Sequence, residues 1–96
     1  MRISATQKNT LIALYALEQH GRIRPIPSVD LLKMVNRGRE AAGELPAYAT
    51  NFRAGCHTMV ENKLIDKYRS QSLQLAFKLT DTGRPLAERY FNEAKS

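Results

Sequence analysis

Few side chains in this sequence are suited to bond-making chemistry. One cysteine, Cys56, stands next to His57, one of two histidines. A thiol beside an imidazole suggests a nucleophile and its base, but adjacent helical residues point about 100° apart, which is poor geometry for such a pair. Cys56 falls instead on the apolar side of its segment, with Phe52, Met59 and Val60, and reads as an inert core thiol. His20 lies near a helix end, where a cation is favourable. Two histidines and one cysteine without local ligand spacing make no metal site. A single cysteine also excludes a disulfide framework within the chain. No glycine-rich phosphate loop and no paired carboxylates stand out. The expectation is no enzyme, no cofactor and no metal. What remains is hydrogen-bonding chemistry. Thr50, Asn51, Arg53, His57 and Thr58 crowd one stretch, and Lys67, Arg69, Ser70, Gln71 and Ser72 crowd another.

The charge balance says what such donors would meet. Fifteen Lys and Arg against nine Asp and Glu give a net charge of +6 over 96 residues. That favours an acidic partner, and nucleic acid is the commonest one. The charge is not gathered in a tail. Residues 1–48 hold seven basic and four acidic groups, and residues 49–96 hold eight and five, so each half is +3. Any basic surface must therefore be made by folding. With 43% hydrophobic and 25% charged residues the chain reads as an ordinary folded one, a single domain over residues 1–96. At this length the core is small, and a homodimer is a common way to add buried area. No apolar run approaches the roughly 20 residues of a membrane span. The opening Met1-Arg2-Ile3-Ser4 turns polar at once, unlike a secretory signal, so a cytoplasmic protein is expected.

These donors need elements to hold them. A first helix is expected from Ser4 to His20, capped by Ser4 or Thr6 and ended by Gly21. Its run Leu11-Ile12-Ala13-Leu14-Tyr15-Ala16-Leu17 is apolar around the whole circumference. Such a helix is either enclosed by its own domain or meets a second subunit on one side. Arg22 to Pro27 should be extended, because two prolines remove donors and restrict their predecessors. Ser28 then looks like the cap of a short helix, Val29 to about Asn36, stopped by Gly38. Arg37 to Pro46 reads as a loop with room for one helical turn. A third helix should run from Pro46 to about Asn62, with Tyr48, Phe52, Cys56, Met59 and Val60 on its inner side. The period then changes to two. Leu64–Tyr68 and Leu73–Thr80 make a hairpin around Arg69-Ser70-Gln71-Ser72. A last helix follows Thr80 or Asp81, with Leu86, Ala87, Tyr90, Phe91 and Ala94 on its apolar side.

Helix, helix, helix, hairpin, helix is the layout of a winged helix-turn-helix. Three pieces carry the resemblance: Val60-Glu61-Asn62-Lys63-Leu64-Ile65, Asp66-Lys67-Tyr68-Arg69 and Leu79-Thr80-Asp81-Thr82-Gly83-Arg84. Together they resemble the recognition helix, wing and following helix of MarR/PadR-type regulators. The implied fold is α+β, mainly α: a three-helix core, a two-stranded wing and a C-terminal helix. Two departures stand out. Lys63 occupies the place where the family usually has glycine, so Asn62 or Lys63 must take a positive φ. The Arg37–Pro46 connection is also longer than the usual three or four residues.

The resemblance implies roles for the donors. The outer side of the third helix would enter the major groove of double-stranded DNA. Arg53 suits a guanine edge and Asn51 an adenine. Thr50, His57 and Thr58 suit phosphates or bases, and small Ala54 permits close approach. Glu61 would repel phosphate unless it stands away from the backbone. Lys67, Arg69, Ser70, Gln71 and Ser72 would form a wing at the minor groove, with Arg69 inserting. Arg37, Arg39 and Lys78 are further candidates for phosphate, while Arg22 and Arg24 would lie away from the DNA. A dimer contact would come from Leu11, Leu14, Leu17, Leu86, Tyr90 and Phe91. The implied function is sequence-specific DNA binding by a dimeric bacterial or plasmid transcriptional regulator. A winged-helix adaptor between proteins and a plasmid replication or partition factor are the alternatives.

Overall fold

A computed structural model describes residues 2–96. The elements are α1 (Ala5–Gln19), β1 (Ile26–Pro27), α2 (Ser28–Ala41), α3 (Ala49–Glu61), β2 (Ile65–Arg69), β3 (Leu75–Leu79) and α4 (Arg84–Lys95). Helix α1 starts at a reciprocal cap. The Ser4 hydroxyl accepts from the Gln7 backbone N–H, and the Gln7 side chain accepts from the Ser4 N–H. It is the central helix, packed against α2, α3, α4 and β3.

This enclosure decides between the two readings of the apolar first helix. Leu11, Leu14 and Leu17 are buried inside their own chain, as is Tyr90 of α4. They join Leu31, Val35, Phe52, Met59, Ile65, Phe77 and Ala87 in one core. The expected subunit contact through Leu11, Leu14, Leu17 and Tyr90 is thus corrected, because side chains occupied by the core cannot also face a partner. Leu86 and Phe91 remain half-buried, and the Phe91 ring lies 5.1 Å from that of Tyr15.

Helix α2 is longer than its sequence suggests. Gly38 does not stop it. The position is exposed with open space around it, so its glycine costs only helix propensity, about 1 kcal/mol against alanine. The helix ends instead at Ala42, and Gly43 takes φ +76°. Ser28 is its first residue rather than its cap. The connection to α3 is therefore Ala42–Tyr48. Two α2 side chains hold it. The Asn36 amide accepts from the Ala47 N–H (2.7 Å) and donates to the Ala47 carbonyl (3.3 Å). Arg39 donates to the Leu45 carbonyl (2.7 Å) and to Asn9 of α1 (2.9 Å). Pro46 consequently sits inside the connection, and α3 begins at Ala49 with Tyr48 exposed at its N-cap instead of in the core.

The sheet has three strands in the order β1-β3-β2, all antiparallel. The extended Arg22–Pro27 segment supplies the third, short strand, with Ile26 opposite Phe77. Pro27 lacks an N–H and is tolerated because β1 is an edge strand. In the hairpin, Ile65 faces Leu79, Lys67 faces Phe77 and Arg69 faces Leu75. Strand β3 starts later than the alternation implies, since Leu73 is exposed in the turn with φ +61°.

The Leu79–Arg84 piece is a structural lock. The Thr80 hydroxyl reaches the carbonyls of Lys63 (2.6 Å) and Leu64 (3.0 Å) and accepts from the Gly83 N–H (2.9 Å). Gly83 is packed so closely that an added Cβ would lie 2.0 Å from the Leu64 carbonyl oxygen. Arg84 then bonds Glu18 of α1 (2.8 Å) and Asp81 (2.7 Å), and Lys78 of β3 reaches the same Glu18 (3.4 Å). One short motif thus ties the end of α3, the base of the hairpin, α4 and α1 together.

Candidate nucleic-acid interface

Helix α3 divides cleanly. Phe52, Cys56 and Met59 are buried, while Thr50, Asn51, Arg53, Ala54, His57 and Thr58 are all exposed. Burial pushes the Cys56 thiol up to about 12, well away from any reactive thiolate. The Gln7 side chain donates to the Gly55 carbonyl (3.2 Å) and pins the helix to α1. Of the outward groups, Thr58 bonds its own helix, donating to the Ala54 carbonyl (3.1 Å). Arg53 borders a shallow groove of about 270 Å³ between α2 and α3, opposite Val29 and Lys33. Glu61 is exposed at the last residue of α3.

The hairpin carries its cations on a defined side. Residues paired across a sheet share a face. Lys67 and Arg69 therefore emerge on the face of Ile65, Phe77 and Leu79, which is the core side of the sheet. Asp66 and Tyr68 point the other way. The tip is a tight turn. Leu73 donates to the Ser70 carbonyl (2.8 Å) and Ser70 to the Gln74 carbonyl (2.9 Å). The Ser70 and Ser72 hydroxyls bond each other (2.9 Å), and Arg69 donates to the Leu73 carbonyl (3.2 Å). Gln71 stands exposed.

Charge pairing separates structural cations from free ones. The ion pairs among the described residues use Lys78, Arg84 and Arg89 as their cations. Lys33, Arg37, Arg53, Lys67 and Arg69 are exposed and face no carboxylate within ion-pair distance. Two of the candidate phosphate ligands are engaged inside the fold instead: Lys78 with Glu18, and Arg39 with the α2–α3 connection. Sequence reasoning overlooked Lys33. It stands opposite the buried stripe of Leu31 and Val35, which is the signal that would have placed it on the outer side.

No family model matches the chain, and no curated protein does. Solved structures do. The chain is similar to MepR, a transcription regulator of the Staphylococcus aureus multidrug efflux pump MepA, with a TM-score of 0.65 at 22% identity over 97% of this chain and 61% of MepR. The Adhesin competence repressor AdcR of Streptococcus pyogenes gives 0.65 at 16% identity, over 98% of this chain and 59% of that one. SSV1 F-93 gives 0.65 at 15% identity, over 92% and 86%. The chain has the winged-helix fold. At these identities the likeness carries the fold alone. Within it, α2 and α3 are the helix-turn-helix pair, and β2 and β3 form the wing. The turn between the two helices is the lengthened part, held by Asn36 and Arg39.

Proposed function

We propose that this winged helix binds double-stranded DNA and regulates transcription, in the manner of a MarR-like bacterial or plasmid regulator. One observation carries the reading: the outward side of α3 is exposed, mostly polar and free of ion pairs among the described residues, and Lys67 and Arg69 of the wing are exposed and equally unpaired. Arg53 and Asn51 read base edges in the major groove, with Thr50, His57 and Thr58 at bases or phosphates and Ala54 allowing close approach. Lys67 and Arg69 meet the minor groove and its phosphates, Ser70, Gln71 and Ser72 form the wing tip, and Lys33 and Arg37 add phosphate contacts. No catalytic step enters this reading. The mechanism is occlusion of a promoter by a homodimer on two half-sites about one helical turn apart. The dimer contact draws on Leu86 and Phe91, the partly exposed members of the apolar set. A monomeric mass in light scattering at tens of micromolar removes the dimer from the proposal.

Salt tests the reading directly. Affinity for duplex DNA should fall linearly in log salt, with a slope near 0.9 per phosphate neutralised. Absence of saturable duplex binding at low salt overturns it. That outcome would favour the adaptor reading, which has its own observation: Leu45 is 82% and Tyr48 76% exposed on the braced α2–α3 connection.

A further inference from the structure

The fold brings Arg24 to a place that its sequence position hides. The segment before β1 runs beside the hairpin, because β1 pairs with β3. Arg24 and Pro25 thereby line a cleft of about 290 Å³ with Tyr68, Arg69, Ser70 and Gln74 of the wing. Tyr68 and Ala76 are paired across the hairpin, so this cleft opens on the face opposite Ile65 and Phe77. Arg24 is exposed and has no carboxylate within ion-pair distance. Glu18, which borders a neighbouring cleft together with Arg24, is already occupied by Arg84 and Lys78. The cleft therefore offers the Arg24 guanidinium beside the Tyr68 phenol, the Ser70 hydroxyl and the Gln74 amide, while the Arg69 side chain leaves the opposite face and donates to the Leu73 carbonyl. That is a set of donors for a phosphodiester.

A wing that enters the minor groove, about 6 Å wide, stands between two sugar-phosphate strands. Lys67 and Arg69 lie on one face of the hairpin, and Arg24 and Tyr68 flank the other. We infer that the Arg24–Tyr68 cleft grips a backbone phosphate of duplex DNA on the far side of the wing, extending the contact beyond the helix-turn-helix. The inference rests on the DNA-binding reading above.

Wild-type protein and Arg24→Ala are titrated by fluorescence anisotropy on one selected duplex, lengthened stepwise past the wing, across a range of salt. On the long duplex, Arg24→Ala should bind several-fold more weakly, and its log–log salt slope should shrink by about 0.9, one phosphate's worth. On a duplex cut short of that phosphate the two proteins should bind alike, and Arg24→Lys should keep most of the slope. The side chain bonds nothing in the fold, so thermal melting should be unchanged. Equal affinity and slope for wild type and Arg24→Ala on the long duplex overturn this inference and leave the DNA reading standing. Failure of the wild type to bind any duplex overturns both. Saturable binding of inorganic phosphate that depends on Arg24, with DNA slopes unaffected, would assign the cleft to a small anion and overturn it as well.

Discussion

The back of the hairpin and the outer side of α3 have similar polar chemistry and opposite fates. At the back, Thr80, Arg84, Glu18, Asp81 and Lys78 bond one another or the backbone. Across α3, the side chains of Asn51, Arg53 and His57 make no hydrogen bond or ion pair among the described residues, and Lys67 on the wing makes none either. Arginine alone thus signifies nothing. Arg84 closes the fold, Arg39 braces a connection, and Arg53 waits on the surface. The difference teaches that a polar group's partners, rather than its type, mark it as structural or as available to a ligand.

The lock should therefore be sensitive in stability and the α3 side in binding. The largest effect is expected at Gly83. Its φ of −81° suits any residue, so the constraint is purely steric. An alanine Cβ would press on the Leu64 backbone carbonyl, at the point where α3 hands over to the wing. Gly83→Ala should cost at least ~3 kcal/mol in denaturant unfolding, the upper end for overpacking. A variant as stable as the wild type would show that the lock yields. Arg53→Ala should do the reverse. Its thermal midpoint should hold, while discrimination at one base position falls by ~1–3 kcal/mol in a binding-site selection. Uniform weakening on every sequence would make Arg53 a phosphate contact instead.

Next comes the Glu18 cluster. The hydrogen bond from Arg84 holds the Glu18 carboxyl below its usual range, with the charges of Arg84 and Lys78 acting the same way and burial opposing them. A carboxylate whose folded pKa is depressed stabilises the fold above its unfolded pKa and loses that contribution as pH falls through the folded value. The stabilisation should thus be complete at neutral pH and fade below about pH 4.5, the group's ordinary value. Glu18→Gln should cost ~1–2 kcal/mol at pH 7, moderated because Arg84 and Lys78 are partly exposed, and should flatten the acid limb of the stability curve. Parallel curves for the variant and the wild type would show that Glu18 does not carry the acid sensitivity.

Much of this division was legible in the sequence, for physical reasons. The 3.6-residue spacing of Phe52, Cys56 and Met59 fixed which side of α3 faces inward, so the exposed set followed by subtraction. The two-residue alternation ending in Phe77 and Leu79 located the hairpin. Three things were not legible. Gly38 resembles a terminator, but exposed glycine inside a helix is only a propensity cost, and the true stop comes at Gly43, whose φ of +76° lets the backbone close the helix end. An all-round apolar helix looks the same whether its own domain or a partner encloses it, which is why Leu11, Leu14 and Leu17 misled. The pairing of Ile26 with Phe77 joins residues about fifty positions apart, and no local pattern reports that.

The smallest effect is expected where the lock and the α3 side meet. Of the two residues able to leave α3 with a positive φ, it is Lys63 that does so, at +62°, while Asn62 stays at −84°. The backbone explains the choice. The Leu64 N–H donates to the Met59 carbonyl (2.9 Å) and the Lys63 N–H to the Val60 carbonyl (3.0 Å), which closes the helix one residue after Asn62. A left-handed lysine carries about 1 kcal/mol of strain that glycine would not. Part of that gain is offset by the extra freedom glycine has when unfolded. Lys63→Gly should therefore stabilise the protein by ~0.5 kcal/mol, seen as a higher denaturant midpoint with an unchanged m-value. The Thr80 bond to the Lys63 carbonyl should persist, since it uses the backbone alone. A lower midpoint would mean that the lysine side chain steadies this corner more than its backbone strains it.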